Sequence, residues 1–171
     1  TAGVVTATTL NVGAAGTIIT TQVGFGSVGI GSTLPTATLD VGGHTKFKTY
    51  SEAVASPSIS ANEVTLDLSA AQSFMITASD DINAFVLTNA PSGSTSFTVK
   101  ILQDSTGGHS VGIDTFKNSS GTAIPVYWPG GVLPIVTPTA DRSDIYSFKT
   151  FDGDDITSAG LYGVVGGQNF A

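Results

Sequence analysis

Asp104, Ser105 and His109 place the three residue types of an acyl-transfer triad within one short stretch. A triad is defined by a base within hydrogen-bond reach of the nucleophile and a third group that orients the base, not by closeness in sequence. The same residues flank Thr106-Gly107-Gly108, which reads as an ordinary hairpin turn, so the stretch predicts a loop rather than a nucleophile. His44 stands beside Lys46 and Lys48 and reads as a surface or interface histidine. Two separated histidines in a chain without cysteine make a poor zinc set. Asp152-Gly153-Asp154-Asp155 is the densest acidic cluster and has the oxygen ligands calcium takes. It lacks the alternating ligands and terminal glutamate of an EF-hand loop, and Asp-Gly is itself a turn signal. Asp80-Asp81 reads as a turn in the same way. These residues predict neither an enzyme nor a bound cofactor.

The most distinctive aromatic group is Tyr127-Trp128-Pro129-Gly130-Gly131, which holds the only tryptophan. Two readings compete. An exposed Tyr/Trp pair on a turn would stack on a sugar ring, whereas a single Trp before a Pro-Gly turn in a small β domain commonly plugs the core. Asn118-Ser119-Ser120 is a formal glycosylation sequon, meaningful only in a eukaryotic secretory protein.

The elements that must position these residues are strands. Val64-Thr65-Leu66-Asp67-Leu68 alternates cleanly, and apolar-rich runs follow at Phe74 to Thr77, Ala84 to Leu87, Phe97 to Leu102, His109 to Ile113, Ile124 to Trp128, Ile145 to Lys149 and Leu161 to Val165. Between them lie Asp80-Asp81, Pro91-Ser92-Gly93, Thr106-Gly107-Gly108, Pro129-Gly130-Gly131 and Asp152-Gly153. Short strands at roughly 8–12-residue spacing with such turns predict a β-sandwich over residues 62–171. With no long helix to make a βαβ crossover, the sheets are expected to be antiparallel and jelly-roll-like. If this part is an exposed head, its contact residues are expected on the turns: Asp80, Asp81, Gly107, Gly108, Tyr127, Trp128 and Gly130.

Residues 1–50 are different in kind. No charged side chain occurs in residues 1–39, yet the stretch is dense in Thr, Val, Ile, Ala and Gly. A surface without charge is one expected to be covered by other chains. Thr9-Leu10-Asn11-Val12-Gly13 is echoed by Thr38-Leu39-Asp40-Val41-Gly42. Between them, Val23-Gly24-Phe25-Gly26 and Val28-Gly29-Ile30-Gly31 alternate bulky residues with glycine at strand period. Glycine on one face of a strand suits close approach of another backbone, so this piece reads as an extended β assembly segment. Residues 51–61, with Pro57 among serines, read as a joint, and Tyr50 to Ala55 also suits a short helix.

Composition limits the function. The 171 residues are 40% hydrophobic and 11% charged, which excludes a disordered chain. A net charge of −7 with only six Lys and Arg argues against nucleic-acid binding. No apolar run is long enough to span a membrane, and no secretion signal opens the chain. A chain opening on Thr1 rather than Met reads as a fragment or processed product.

Val28-Gly29-Ile30-Gly31-Ser32-Thr33-Leu34-Pro35-Thr36-Ala37-Thr38-Leu39-Asp40-Val41-Gly42-Gly43 resembles the V-G-I-G-T-T-x-P-x-x-x-L-D-V-x-G element of bacteriophage tail fibres and related bacterial surface fibres. Gly3-Val4-Val5-Thr6-Ala7-Thr8 resembles stalk phrases of cyanophage fibres in particular. Leu66-Asp67-Leu68, Phe97-Thr98-Val99, Gln103 to Gly108, Trp128 to Gly131, Asp144 to Phe148, Phe151-Asp152-Gly153 and Tyr162-Gly163 fall in an order similar to that of a β-rich domain of phage virion proteins. The resemblance implies a virion structural protein. It would be a homotrimeric fibre with an intertwined shaft and a β head, contacting its own copies, other virion proteins and a host surface glycan or protein. The competing expectations are a capsid or tail decoration protein with an extended arm, and a carbohydrate-binding module or adhesin.

Overall fold

The computed structural model describes residues 10–12, 17–22, 27–32 and 35–171, with side chains described for 27–32 and 35–171. The Gly3 to Thr8 phrase and the Val23 to Gly26 alternation lie outside the described residues. The described part is predominantly β, in two units, Thr1–Tyr50 and Ser51–Ala171.

In the first unit, β1 (Leu10–Val12), β2 (Thr17–Gln22), β3 (Ser27–Ile30) and β4 (Leu39–Val41) form one sheet in that order. The described residues at the centre of the two echoed phrases, Leu10–Val12 and Leu39–Val41, are its edge strands: β1 runs antiparallel to β2, and β4 parallel to β3. A parallel partner next in sequence requires the chain to loop back, and Asp40 closes that loop. Its carboxylate accepts the Thr36 N–H at 2.9 Å, the Ser32 hydroxyl at 3.1 Å and the Thr36 hydroxyl at 3.3 Å. The Thr36 N–H foremost, with the two hydroxyls, holds the Asp40 carboxyl below the usual carboxylate range. Gly42 then passes so close that a Cβ there would lie 2.6 Å from the Gly31 carbonyl oxygen, which explains a glycine after Leu39-Asp40-Val41.

In the second unit the strands are β5 (Val54–Ala55), β6 (Ile59–Ser60), β7 (Glu63–Asp67), β8 (Ser73–Ala78), β9 (Ala84–Thr88), β10 (Thr95–Gln103), β11 (Phe116–Asn118), β12 (Ala123–Ile124), β13 (Val126–Tyr127), β14 (Ser143–Thr150) and β15 (Leu161–Phe170). A four-residue helix, α1 (Ile156–Ala159), precedes β15. One sheet has the order β13-β15-β14-β10-β8-β5 and the other β12-β11-β9-β7-β6.

These sheets are mixed, which corrects the antiparallel expectation and removes the jelly-roll likeness that depended on it. β5/β8, β8/β10, β7/β9, β9/β11 and β13/β15 are parallel. From β7 to β11 the chain alternates between sheets, so the connection between two parallel neighbours is a strand of the opposite sheet. The sequence argument assumed that only a helix could make that crossover.

Residues 51–61 are no joint and hold no helix. β5 adds an edge to the six-stranded sheet and β6 an edge to the five-stranded one. The single run Ile124 to Trp128 also divides: β12 belongs to one sheet and β13 to the other, with Pro125 at the corner. His109 to Ile113 forms no strand and contributes only an isolated bridge, Ile82 to Val111.

The core lies between the sheets. Phe116 stacks on Phe85 of its own sheet at 5.1 Å and meets Phe148 of the other at 4.9 Å. Phe97 stacks on Phe148 at 5.2 Å and meets Phe74 edge-on at 6.4 Å. Val64, Leu66, Ile76, Val99, Ile101 and Leu161 fill the spaces between these rings. Burying such rings and aliphatic chains contributes about 1.5–3 kcal/mol each, which gives this unit a core of its own.

Candidate functional site

Strand register separates the chemistry-bearing residues onto two ends of the six-stranded sheet. Gln103 pairs with Ala78 at one end, while Lys149 pairs with both Ser96 and Tyr162 towards the other.

At the first end the structure brings together Asp80, Asp81, Asp104, Gly107, Gly108 and His109. The buried Gln103 amide grips the His109 backbone, donating to its carbonyl at 2.9 Å and accepting its N–H at 3.1 Å. The Asp104 carboxylate accepts the N–H groups of Thr106 and Gly107 at 2.9 and 3.0 Å and contacts the His109 ring nitrogen at 3.2 Å. Asp81 accepts the Ser110 N–H at 2.7 Å, which joins the two turns into one surface. The Gly107 N–H, as the largest influence on Asp104, and the Ser110 N–H on Asp81 draw both carboxyls below the usual range. Of the three triad residue types, only Asp104 and His109 meet. Their contact, like the positive φ of Gly107 and Gly108 (65° and 81°), shapes a turn.

The other acidic and amide groups also make turns. Asp152 accepts the N–H groups of Asp154 and Asp155, and Asn118 those of Ser120 and Thr122. Among the described residues no three His, Asp or Glu side chains converge as a metal site would need.

The second end is aromatic. Tyr127 on β13 and Tyr162 on β15 are register partners with ring centroids 5.2 Å apart. Phe151, just beyond β14, meets Tyr162 edge-on at 5.5 Å, and the Lys149 ammonium lies 5.3 Å from the Phe151 ring centre. Tyr127, Tyr162 and Phe151 are 47%, 47% and 62% exposed, so this is a surface platform. Gly130, at φ 65°, lies exposed in the turn that follows.

Trp128 faces the other way. It is half-buried, edge-on to Tyr146 at 6.1 Å and to Phe148 at 5.7 Å. Gly163 lies beneath it, where a Cβ would come within 2.7 Å of the indole. The ring contacts and Gly163 pack the indole against the core, while its Nε1 is the one buried side-chain polar atom without a hydrogen-bond partner among the described residues. In place of the adjacent Tyr127/Trp128 pair, the structure presents the cross-strand pair Tyr127/Tyr162. Alternation is the reason: Tyr127 and Trp128 are neighbours in the chain and point to opposite sides.

The platform belongs to a larger surface, the outward face of the six-stranded sheet. Ser96, Thr98, Lys100 and Leu102 on β10 lie beside Ile145, Ser147 and Lys149 on β14, flanked by Val164 on β15 and Met75 on β8. Beyond Lys100 a half-open groove of about 360 Å³ is lined by Pro57, Met75, Thr77, Lys100 and Leu102. Within the strands of this sheet the sole carboxylate is Asp144, which is buried. Asp144 accepts the Thr137 N–H at 2.7 Å, the Asn169 N–H at 2.8 Å and the Tyr146 hydroxyl at 3.0 Å. Burial pushes its carboxyl up, but these bonds outweigh burial and hold it below the usual range. Burial foremost, then the Asp144 charge, raises the Tyr146 hydroxyl well above the usual tyrosine range.

Sequence reasoning missed Lys100, Lys149, Phe151 and Tyr162 as surface partners, because strand register alone brings them together. In comparisons with known proteins, no family model, no curated protein and no solved structure matches this chain.

Proposed function

We propose that the chain is a structural segment of a phage virion, a homotrimeric tail-fibre piece in which residues 1–50 are the assembly shaft and residues 51–171 a head that contributes to host attachment. The observation that carries this reading is apolar surface on the first unit. Leu39, Phe47 and Tyr50 are 53%, 64% and 76% exposed in a unit whose first 39 residues carry no charge. Large exposed apolar side chains favour burial against further chains, and three copies around one axis would close such contacts. The Asp40-closed loop supports the likeness to the fibre element, since it gives that element's Asp and following Gly a shared role.

In this reading the chain works by rigidity and multiplicity. A trimer presents three heads, and weak contacts made together become avid. The exposed aromatic platform also favours the carbohydrate-binding-module reading, which shares the head's role and differs in having no shaft.

Light scattering on the full chain and on a fragment beginning at Ser51 tests the proposal. The expected result is a trimer for the full chain and a monomer for the fragment. A monomer in both overturns the fibre reading and favours a decoration protein whose arm docks on another subunit.

A further inference from the structure

We infer that the outward face of the six-stranded sheet binds an anionic polysaccharide, with sugar rings stacked on Tyr127 and Tyr162 and the anionic groups paired to Lys149 and Lys100. This deepens the attachment role proposed above and rests on it for the source of the glycan.

Charge distribution is the first argument. The chain carries −7 overall, yet the partly or fully exposed strand positions of this sheet include two lysines and no carboxylate. Among the described residues neither Lys100 nor Lys149 has a carboxylate partner, whereas Lys117 on the opposite sheet is paired with Glu63. Two acidic groups lie outside the strands but close to this face: Glu52, which accepts the hydroxyl of Ser73, the β8 register partner of Thr98, and the Asp152 to Asp155 turn beyond Phe151. Lysines without a carboxylate partner, on strands whose exposed positions carry no acid, are complementary to an anion.

Shape is the second. Lys100 is four residues along β10 from Ser96, the register partner of Lys149, so the two ammonium groups are rooted about 14 Å apart along the sheet at 3.4 Å per residue. Between them Thr98 and Ser147 share a hydrogen bond at 3.2 Å and divide the apolar residues into small islands. The buried centre of a protein–protein interface is more apolar than its rim, and these hydroxyls break up the apolar surface here. A polysaccharide needs separated aromatic faces, hydroxyls and cations along a line. The platform at one end and the groove beside Lys100 at the other supply that order.

The test uses the full chain with three probes: oligogalacturonate, neutral dextran of similar length, and oligo(dT). Wild type is expected to bind oligogalacturonate in a salt-sensitive way and to bind dextran and oligo(dT) far more weakly. Lys149→Gln and Lys100→Gln should each weaken binding about tenfold, the loss of one charge-assisted hydrogen bond. Tyr162→Ala should weaken it about as much, Tyr162→Phe should largely retain it, and Lys117→Gln should leave it unchanged.

Equal losses in Lys117→Gln and Lys149→Gln would mean diffuse charge attraction and overturn the site. Preferential capture of oligo(dT) would overturn the glycan assignment. A full chain that is trimeric by light scattering but binds no oligogalacturonate would sink this inference and leave the fibre proposal standing. A monomer that binds it would do the reverse.

Discussion

The two outward faces of the head are built from the same alternating strands and differ in what they do with charge. On the five-stranded sheet Glu63 pairs with Lys117, and Asp67 is bonded to the Ser69 N–H and hydroxyl and the Asn89 amide. The charged groups of that face are satisfied within the chain. On the six-stranded sheet Lys100 and Lys149 stand without carboxylates, and Tyr127, Tyr162, Met75 and Val164 remain exposed. Internal satisfaction marks a surface finished against water. Cations without carboxylates beside exposed aromatics are what the inferred glycan site requires.

The severest way to break this comparison is to remove the core that both faces share. Phe116→Ala deletes a ring that touches Phe85, Phe97 and Phe148, and should cost about 3–5 kcal/mol, read as a large fall in the urea midpoint. Both faces should be lost together, so a variant that kept one intact would show that the sheets are independent.

Asp144→Asn addresses the six-stranded sheet alone. It weakens the bonds that tie Thr137 to that sheet and Asn169 of β15 to β14, and should cost about 1–3 kcal/mol near neutral pH. The native carboxyl titrates below its unfolded value, so its contribution is complete above the ordinary aspartate pKa of about 3.9 and is lost as pH falls through the lower native value. Stability measured against pH should therefore drop below about pH 4 in the wild type. The drop should be shallower in Asp144→Asn, and unchanged acid sensitivity would remove Asp144 from this role.

Gly163→Ala tests whether Trp128 is packed from beneath. A methyl group within 2.7 Å of the indole must displace it, at a cost of about 1–3 kcal/mol and with a red shift of Trp fluorescence. An unshifted spectrum would mean that the indole is not held there. The smallest effect belongs to the finished face: Lys117→Ala should cost at most about 1 kcal/mol, because an ion pair this exposed is weak.

Much of the head was legible locally. The alternation of Val64 to Leu68 and Phe97 to Leu102 and the apolar runs around Phe74, Phe85, Phe148 and Val164 correspond to β7, β10, β8, β9, β14 and β15. β11 was not legible, since Phe116-Lys117-Asn118 is short and sits among turn formers, yet Phe116 stands at the centre of the core. The acidic turns read correctly as turns, because Asp152, Asp104 and Asp80 all use their carboxylates on nearby backbone.

What the sequence determined by itself was the character of each piece: an uncharged first segment, a strand-rich second one, and turns where Gly and Asp fall. These follow from composition and from the two-residue period, which are local properties. Only the tertiary structure decided which strands are neighbours. Alternation between the two sheets made the β7/β9, β8/β10 and β9/β11 pairings parallel, Pro125 sent β12 and β13 to different sheets, and pairing of β13 with β15 set Tyr127 against Tyr162. Strand order and register are fixed by contacts between residues far apart in the chain, and no local pattern contains them.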